Sequence, residues 1–375
     1  MFFNVFVVIV FTLIFALSPS RERVRKDKML RQTSLTKRSC EYGISLNKLP
    51  NVIGKEYDFS NCDDLFDTIH DAMQCASYFI DVGANKGYTA AVFLSLWSSK
   101  SGVTPLTWWR PSVLSAGKHC KHAPGTTPEA IDCELSCGAC NDCRSKFRSP
   151  NSYTFCGHLP IKIHSFDGQS MLKTRAQDRI KGHFPGAEHL WDFHTMAVSN
   201  TSGSAKFMQH GGSERASMSP SGGLLETVPM TSLDAFVPYG QHVDVLKIDT
   251  EGFDVLVIDG AQRLFRENRV NVLVFEVSFR QPELWRERSG LEGVIADLQS
   301  HSFECYVPLR GARVSKYKGP RLLKLSGCLM PGDMGNLEPG WTNVYCAHNK
   351  RQPELVSMWD RLSDFRLRTH NSILK

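Results

Sequence analysis

The chain has 375 residues, of which 42% are hydrophobic and 22% charged, so it is long enough for one large or two ordinary domains with a sizeable core. This composition excludes collagen, coiled coils and a wholly disordered chain. The net charge is +6, and residues 21–38, with eight basic and two acidic side chains, carry all of that excess. Because a nucleic-acid-binding domain needs a basic surface on its folded part, we predict no nucleic-acid partner.

The N-terminal segment, residues 1–17, is apolar except for Asn4 and Thr12. Its length fits a short membrane helix if the serines that follow it help, and we predict a signal anchor over residues 1–20. A cleaved signal peptide is the alternative, because the length also fits the apolar region of such a peptide. The uncleaved anchor is favoured, since Pro19 would come just after the cleavage site.

The orientation of this anchor rests on conflicting signals. The basic run after the apolar segment would keep the rest of the chain in the cytosol. Twelve cysteines, six of them within residues 120–156, are instead typical of disulfide-bonded proteins, and one glycosylation sequon begins at Asn200. Because long domains cross membranes largely regardless of their charge, we predict a single-pass membrane protein of the secretory pathway, in the ER or Golgi, with its main domain in the lumen.

Predicted strands and helices alternate after a basic stalk and lead-in at residues 21–75. We predict strands at 78–82, 161–166, 191–198, 243–248, 270–277, 303–308 and 343–347, and helices at 87–98, about 169–181, 251–266 and 291–300. Strands that are near-continuous runs of Val, Ile and Leu, separated by helices, indicate a parallel sheet covered on both faces. The prediction is therefore an α/β domain with a doubly wound, mostly parallel sheet over residues 76–349, and a helical tail at 350–375.

Residues 101–160 interrupt this alternation with Gly, Pro and Cys and no apolar period, so we predict a cysteine-rich insertion outside the core. Disulfides are the favoured state of its cysteines, and the sequence CELSCGAC resembles the end of ShK toxin-type disulfide modules. A second interpretation is a zinc ion held by Cys133, Cys137, Cys140 and Cys143. The spacing of Cys133, Cys137 and Cys140 would also suit the iron–sulfur cluster of radical enzymes. This interpretation is the least favoured, because such motifs belong to a barrel scaffold.

The first predicted strand ends in DVGANKG, in which Gly83 and Gly87 allow a sharp turn and a close approach to a ligand. Asp81 places an acceptor at the carboxyl end of the strand, where open α/β sheets bind ligands. Because Asn85 replaces the second glycine of the dinucleotide pattern, the motif alone fits an ordinary strand-to-helix turn equally well. The next strand ends near Asp167, whose carboxylate suits the two hydroxyls of a ribose. Two acids on adjacent strand ends therefore predict a nucleoside site.

A second acidic group surrounds the end of the predicted strand 243–248. Lys247 lies inside that strand, Asp249 and Glu251 follow it, and Glu276 ends the next strand. These carboxylates can supply a general base or bind a substrate amine or hydroxyl. A structural ion pair between Lys247 and one of the acids is at least as well supported. Three acids also suit a divalent cation, but no histidine lies at a fixed spacing from them, and we predict no metal.

Six segments resemble, in order, the successive blocks of the FkbM-type methyltransferases: FIDVGANKGYTA (79–90), HSFDG (164–168), MAVSNTSGSAKF (196–207), VPMTSLDAF (228–236), VLKIDTEGFDVLVIDGA (245–261) and VNVLVFEV (270–277). The resemblance implies a class I, Rossmann-like fold and methyl transfer from S-adenosylmethionine to a hydroxyl. It also implies a cofactor loop formed by Asp81, Gly83, Asn85 and Gly87. In the same way it implies that Asp167 holds the ribose, that Ala197 lies along the adenine, and that the acceptor faces Asp249 as base, Glu251 as second candidate and Lys247 beside them.

Two features depart from that family pattern: Gly168 stands where a proline commonly follows the acid, and the insertion is additional. The expected function is an S-adenosylmethionine-dependent O-methyltransferase that acts on a hydroxyl of a glycan or another secretory-pathway carbohydrate. The alternative is a catalytically silent relative that binds carbohydrate or another partner through the same fold. Trp108 and Trp109 at the start of the insertion are expected either to stack on a sugar ring or to pack the insertion down.

Overall fold

The computed structural model describes residues 57–59, 65–98, 101–104, 107–108, 161–209, 224–278, 281–311, 321–325 and 342–363. Its strands are β1 Tyr57–Phe59, β2 Tyr78–Val82, β3 Lys162–Asp167, β4 Trp191–Thr195, β5 Ala197–Val198, β6 Gly203–Gln209, β7 Leu224–Thr231, β8 Val243–Ile248, β9 Val270–Val277, β10 Phe303–Gly311, β11 Arg321–Leu325 and β12 Thr342–His348. Its helices are α1 Phe66–Ala72, α2 Tyr88–Trp97, α3 Ser170–His183, α4 Leu233–Phe236, α5 Asp254–Asp259, α6 Gln262–Arg266, α7 Pro282–Glu287, α8 Gly290–Ser300 and α9 Pro353–Ser363, with a 3-10 turn at Pro185–Ala187.

A nine-stranded sheet organises these elements in the order β1-β10-β12-β9-β8-β2-β3-β4, with β11 paired to β10. The five strands from β9 to β4 are parallel to their neighbours, whereas β12 runs antiparallel to both β9 and β10. The chain moves from β2 outward to β3 and β4, then returns to the other side of β2 to form β8 and β9. That reversal creates the crevice in which open α/β sheets bind ligands. The predicted α/β class with a mostly parallel sheet is confirmed.

Helices cover both faces of the sheet, because the side chains of its central strands point alternately to each face. Phe79 on β2 packs in a cluster with α1, α2, α3 and α9. Its neighbour Ile80 packs in a second cluster with α4 to α8. All eight residues of β9 are buried, as expected for a strand covered on both sides.

The core includes two segments that the sequence analysis placed outside it. Leu65, Phe66 and Ile69 are fully buried, so α1 belongs to the core although it precedes the predicted boundary at residue 76. Trp108 is also fully buried, 4.6 Å from the ring of Trp191, so the start of the predicted insertion packs into the core. Residues 109–160, with the cysteines for which three interpretations stay open, lie outside the described residues.

The predicted helix at 251–266 is instead a turn followed by the two short helices α5 and α6. Glu251 and Gly252 have left-handed backbone conformations, with φ of 58° and 100°, which an α-helix does not contain. Gly260 separates α5 from α6, and a Cβ atom there would lie 2.1 Å from the carbonyl oxygen of Ser199. The close approach of Ser199 therefore favours glycine at the position between the two helices.

No helix among the described residues is long and apolar enough to cross a bilayer, and the predicted anchor at 1–20 lies outside them. Cys305 on β10 and Cys346 on β12 are direct cross-strand partners and form a disulfide. Cys75 is disulfide-bonded as well. The sequon residue Asn200 is exposed in the turn between β5 and β6.

Candidate active site

Backbone hydrogen bonds fasten together the loops that follow β3, β2 and β8. The amides of Gly83 and Ala84 donate to the carbonyl of Phe166, at 2.9 and 3.0 Å, and the amide of Asp249 donates to the carbonyl of Val82 at 2.9 Å. The two acidic groups predicted from the sequence therefore lie at the same edge of the sheet, because parallel strands end together there.

Gly83 and Gly87 are required by close approaches within the protein itself. Both have left-handed φ values, of 74° and 79°, which L side chains rarely adopt. A Cβ atom on Gly83 would lie 1.7 Å from the carbonyl oxygen of Asp249, and one on Gly87 would lie 2.8 Å from the ring of Trp191. The close approach expected towards a ligand is thus made by a neighbouring loop and an aromatic side chain.

Asp167, at the end of β3, closes the loop after β2. Its Oδ2 accepts from the amide of Asn85 at 3.0 Å, and its Oδ1 accepts from the amide of Gln169 at 2.9 Å. Burial raises the pKa of this carboxyl to about 6. Each carboxylate oxygen can accept more than one hydrogen bond, so Asp167 still has acceptor capacity for a diol.

Asn85 gives an independent indication that this loop holds a polar ligand. Its Oδ1 is buried and has no hydrogen-bond partner within the described part of the chain. A buried acceptor without a partner costs about 1–3 kcal/mol. A ligand that donates a hydrogen bond beside Asp167 would remove this cost, so these two residues fit a nucleoside with ribose hydroxyls.

Asp81 lies deeper than the sequence suggested. Its side chain is fully buried, and Lys247 Nζ lies 3.8 Å from its Oδ1 and 3.2 Å from Asp249 Oδ2. Asp81 therefore helps to hold the Lys247 ammonium, and its predicted place in a cofactor loop stays a prediction. Of the two carboxylates beside Lys247, only Asp249 is accessible, with 35% of its side chain exposed.

The remaining acids shape the same edge. Glu251 occupies the left-handed turn after β8, and Glu276 is only 6% exposed on β9. Sequence reasoning missed Asp254, which is fully buried and whose Oδ2 accepts from the amide of Gly252 at 3.3 Å. Burial and the nearby Asp249 raise the pKa of Asp254 to about 7. Its place in the first turn of a helix after the loop, where acids bind free amides, is the signal that could have identified it.

The segment predicted to lie along the adenine is adjacent to Asp167. The amide of Met196 donates to the carbonyl of Asp167 at 3.0 Å, and Ala197 is buried against Phe207 in a small cluster between β5, β6 and β7. A Cβ atom on Gly168 would lie 2.3 Å from the Phe207 ring. This packing explains why glycine stands where relatives commonly have proline.

Trp108 fastens the loop after β2 from outside. Its Nε1 donates to the carbonyl of Lys86 at 2.8 Å, and its ring packs against Trp191 and Phe184. Of the two roles considered for it, packing fits this buried side chain and stacking on a sugar does not. Trp109 lies outside the described residues.

The chain matches a known domain family. A search of the curated proteins found no match to the chain. Among solved structures, the chain is similar to the methyltransferase FkbM from Methylobacillus flagellatus KT, with 10% identity and a TM-score of 0.34, over 72% of this chain and 43% of that one. The chain thus spans less than half the length of that protein. The family model of the methyltransferase FkbM domain matches residues 81–305, which is more than half of the chain. The protein therefore belongs to the FkbM methyltransferase domain family.

Proposed function

We propose that this domain is an S-adenosylmethionine-dependent methyltransferase that modifies a hydroxyl oxygen of a glycan or another secretory-pathway carbohydrate. Family membership supports methyl transfer. Hydroxyl methylation with S-adenosylmethionine is supported by one observation. The accessible carboxylate of Asp249 contacts the buried ammonium of Lys247, beside a loop in which Asp167 and Asn85 can still accept hydrogen bonds.

The residues at the ends of β2 and β3 would hold the cofactor. Asp167 would accept hydrogen bonds from the ribose hydroxyls, and Asn85 Oδ1 would accept one from a polar group of the same nucleoside. The adenine base would extend along Ala197, which follows the residue whose amide donates to the Asp167 carbonyl. S-adenosylmethionine supplies an electrophilic methyl group on a positively charged sulfur. The protein therefore has to bind and orient the cofactor and the acceptor, and to take the proton from the acceptor hydroxyl.

Asp249 is the proposed general base. A hydroxyl nucleophile must lose its proton as the new bond to carbon forms, and a carboxylate within hydrogen-bond reach can take it. Lys247 fixes the direction of this carboxylate through the 3.2 Å contact, and the buried Asp81 limits the movement of the ammonium. Lys247 and Asp81 therefore act as positioning residues. Glu251, on the turn after β8, is the second candidate for this base.

The test uses the full-length protein, labelled S-adenosylmethionine and a panel of glycans. We expect labelled product, and we expect Asp249→Asn to lower kcat by about 10²–10⁴-fold while calorimetry shows unchanged cofactor affinity. Asp178→Asn is the matched control, because Asp178 is an exposed acid on α3. Cofactor binding without any labelled hydroxyl would refute the acceptor class. No cofactor binding at all would refute the enzyme and favour the silent binding module.

We also propose that residues 1–20 anchor the protein in a membrane of the secretory pathway, with residues 76–349 in the lumen. The buried disulfide between Cys305 and Cys346 supports an oxidising compartment, and the exposed sequon at Asn200 is accessible to glycosylation. Protease treatment of sealed microsomes tests this topology. Protection of the domain, lost on addition of detergent, is the expected result, and digestion without detergent would contradict it.

A further inference from the structure

Two histidines and an aspartate form a cluster on the opposite face of the sheet from Asp81 and Lys247. His164 on β3 is the direct cross-strand partner of Asp192 on β4, and His194 follows Asp192 by two residues, so all three side chains point to the same face. Their ligand atoms lie within 4.8 Å of one another. His164 points to the same side as Ile80 and Phe166, away from the proposed nucleoside site.

We propose that His164, Asp192 and His194 form a binding site for one divalent transition-metal ion, with Zn²⁺ the best fit. His164 Nδ1 lies 3.1 Å from His194 Nε2 and 3.7 Å from Asp192 Oδ2. Ligand atoms of a tetrahedral zinc ion are separated by about 3.3 Å, because each bond is about 2.0–2.1 Å long. The two separations that His164 makes are therefore close to an edge of such a tetrahedron, and all the ligand atoms lie within 4.8 Å of one another.

The chemistry of the three ligands agrees with the geometry. Two imidazoles and one carboxylate form a zinc-binding set that leaves the fourth position to water or another ligand. The Asp192 side chain is 42% exposed, whereas that of His164 is 12% exposed, so solvent reaches the cluster from the aspartate side.

Aromatic packing holds the imidazole rings in place before any ion binds. The Phe236 ring lies 5.2 Å from that of His164 and 5.3 Å from that of His194, in edge-to-face contact with each. Phe166 stacks on His194 at 4.7 Å. Ligands whose orientations are fixed by packing lose little entropy on binding.

Lys162 is the group that competes with the ion. Its Nζ lies 2.7 Å from Asp192 Oδ2, so this ammonium neutralises the carboxylate in the metal-free protein. The Lys162 side chain is 35% exposed and lies at the solvent side of the cluster. It can therefore rotate away from Asp192 towards the solvent when a metal ion binds. A bound ion would then link β4, at the edge of the sheet, to β3, the strand that ends in Asp167.

Calorimetric titration of the full-length protein with ZnCl₂, with disulfides intact, tests this site. We expect one zinc per chain at the cluster, at least tenfold weaker binding in His164→Gln and Asp192→Asn, and several-fold tighter binding in Lys162→Gln. His183→Gln is the control, because His183 is an exposed histidine at the end of α3. Asp192→Asn keeps the test valid if His164→Gln does not fold, since Asp192 is largely at the surface.

Cobalt substitution distinguishes this cluster from the cysteines of residues 120–156. We expect Co²⁺ at the site to show only the weak visible bands of nitrogen and oxygen ligands. A thiolate charge-transfer band as the only cobalt signal would overturn the proposal. Equal stoichiometry and affinity for zinc in the wild type, His164→Gln and Asp192→Asn would overturn it as well.

Discussion

Replacing Gly83 with alanine tests whether the fit between the loops after β2 and β8 holds the active-site edge together. The added methyl group would stand 1.7 Å from the carbonyl oxygen of Asp249, so one of the two loops has to move. A left-handed conformation costs an L residue about 1–2 kcal/mol, and forced rearrangement of a packed region costs about 1–3 kcal/mol more. We therefore expect Gly83→Ala to lower the free energy of unfolding by about 2–5 kcal/mol.

Gly240 provides the matched control. Its φ is 81°, close to the 74° of Gly83, but a Cβ atom there meets nothing within 4 Å. Gly240→Ala should therefore lose only the conformational part, about 1–2 kcal/mol. Urea unfolding of both variants measures the difference. If Gly83→Ala is no less stable than Gly240→Ala, the loops do not constrain each other and the reasoning is wrong. We also expect only Gly83→Ala to lose methyl transfer, since only it displaces Asp249.

Three further predictions follow from individual contacts. Burial raises the pKa of Asp167 to about 6. Under the proposed function ribose hydroxyls donate to the ionised carboxylate, so cofactor affinity measured by calorimetry should fall below pH 6 by up to about tenfold per pH unit. Asp167→Asn should remove this dependence. The pKa of Asp254 is raised to about 7, so the folded protein holds a proton there that the unfolded chain releases above about pH 4. The free energy of unfolding should therefore fall by up to about 4 kcal/mol as the pH rises from about 4 to about 7. Urea denaturation of Asp254→Asn should show a smaller change over this pH range. Trp108→Phe keeps the ring packing but loses the bond to the Lys86 carbonyl, so it should unfold about 1 kcal/mol more easily and bind the cofactor more weakly; an unchanged urea midpoint would contradict this.

The central strands could be predicted from the sequence to the residue. The predicted bounds 78–82, 243–248 and 270–277 equal those of β2, β8 and β9. These strands are covered on both faces, so nearly every position is apolar, and the pattern is strong enough to read without knowing the partners. The order of loops at their carboxyl ends then follows from the parallel arrangement.

Elements with a single buried stripe were harder to predict. The helix Phe66–Ala72 buries two side chains, Phe66 and Ile69, within a segment that otherwise looks polar. The helix Pro282–Glu287 buries Trp285 alone. Two buried side chains in seven residues give too weak a pattern to separate a helix from a loop, and only the fold shows what covers them.

The depth of the acidic residues also depends on the fold. Asp81, Asp167, Asp249 and Asp254 all lie near strand ends in the sequence, yet only Asp249 combines contact with Lys247 and substantial exposure. Asp81 lies one residue before the end of β2, directly across from Lys247 on β8. The buried Asp254 carboxylate accepts a hydrogen bond from the Gly252 amide in the loop that precedes it. Sequence spacing gives the strand end, but the height of a side chain relative to the loops above it is a property of the packed molecule.

The α/β class, the family and the sheet edge that gathers the acidic residues could all be predicted from the sequence, because local hydrophobic runs and short motifs carry that information. Tertiary structure alone decided which carboxylate is accessible, why Gly83 and Gly87 are glycines, and that His164 meets Asp192 and His194. These relations join residues far apart in the chain through cross-strand register and side-chain packing. The physical cause of these contacts is the way the strands are arranged side by side in the sheet. The spacing of residues along the chain does not specify that arrangement.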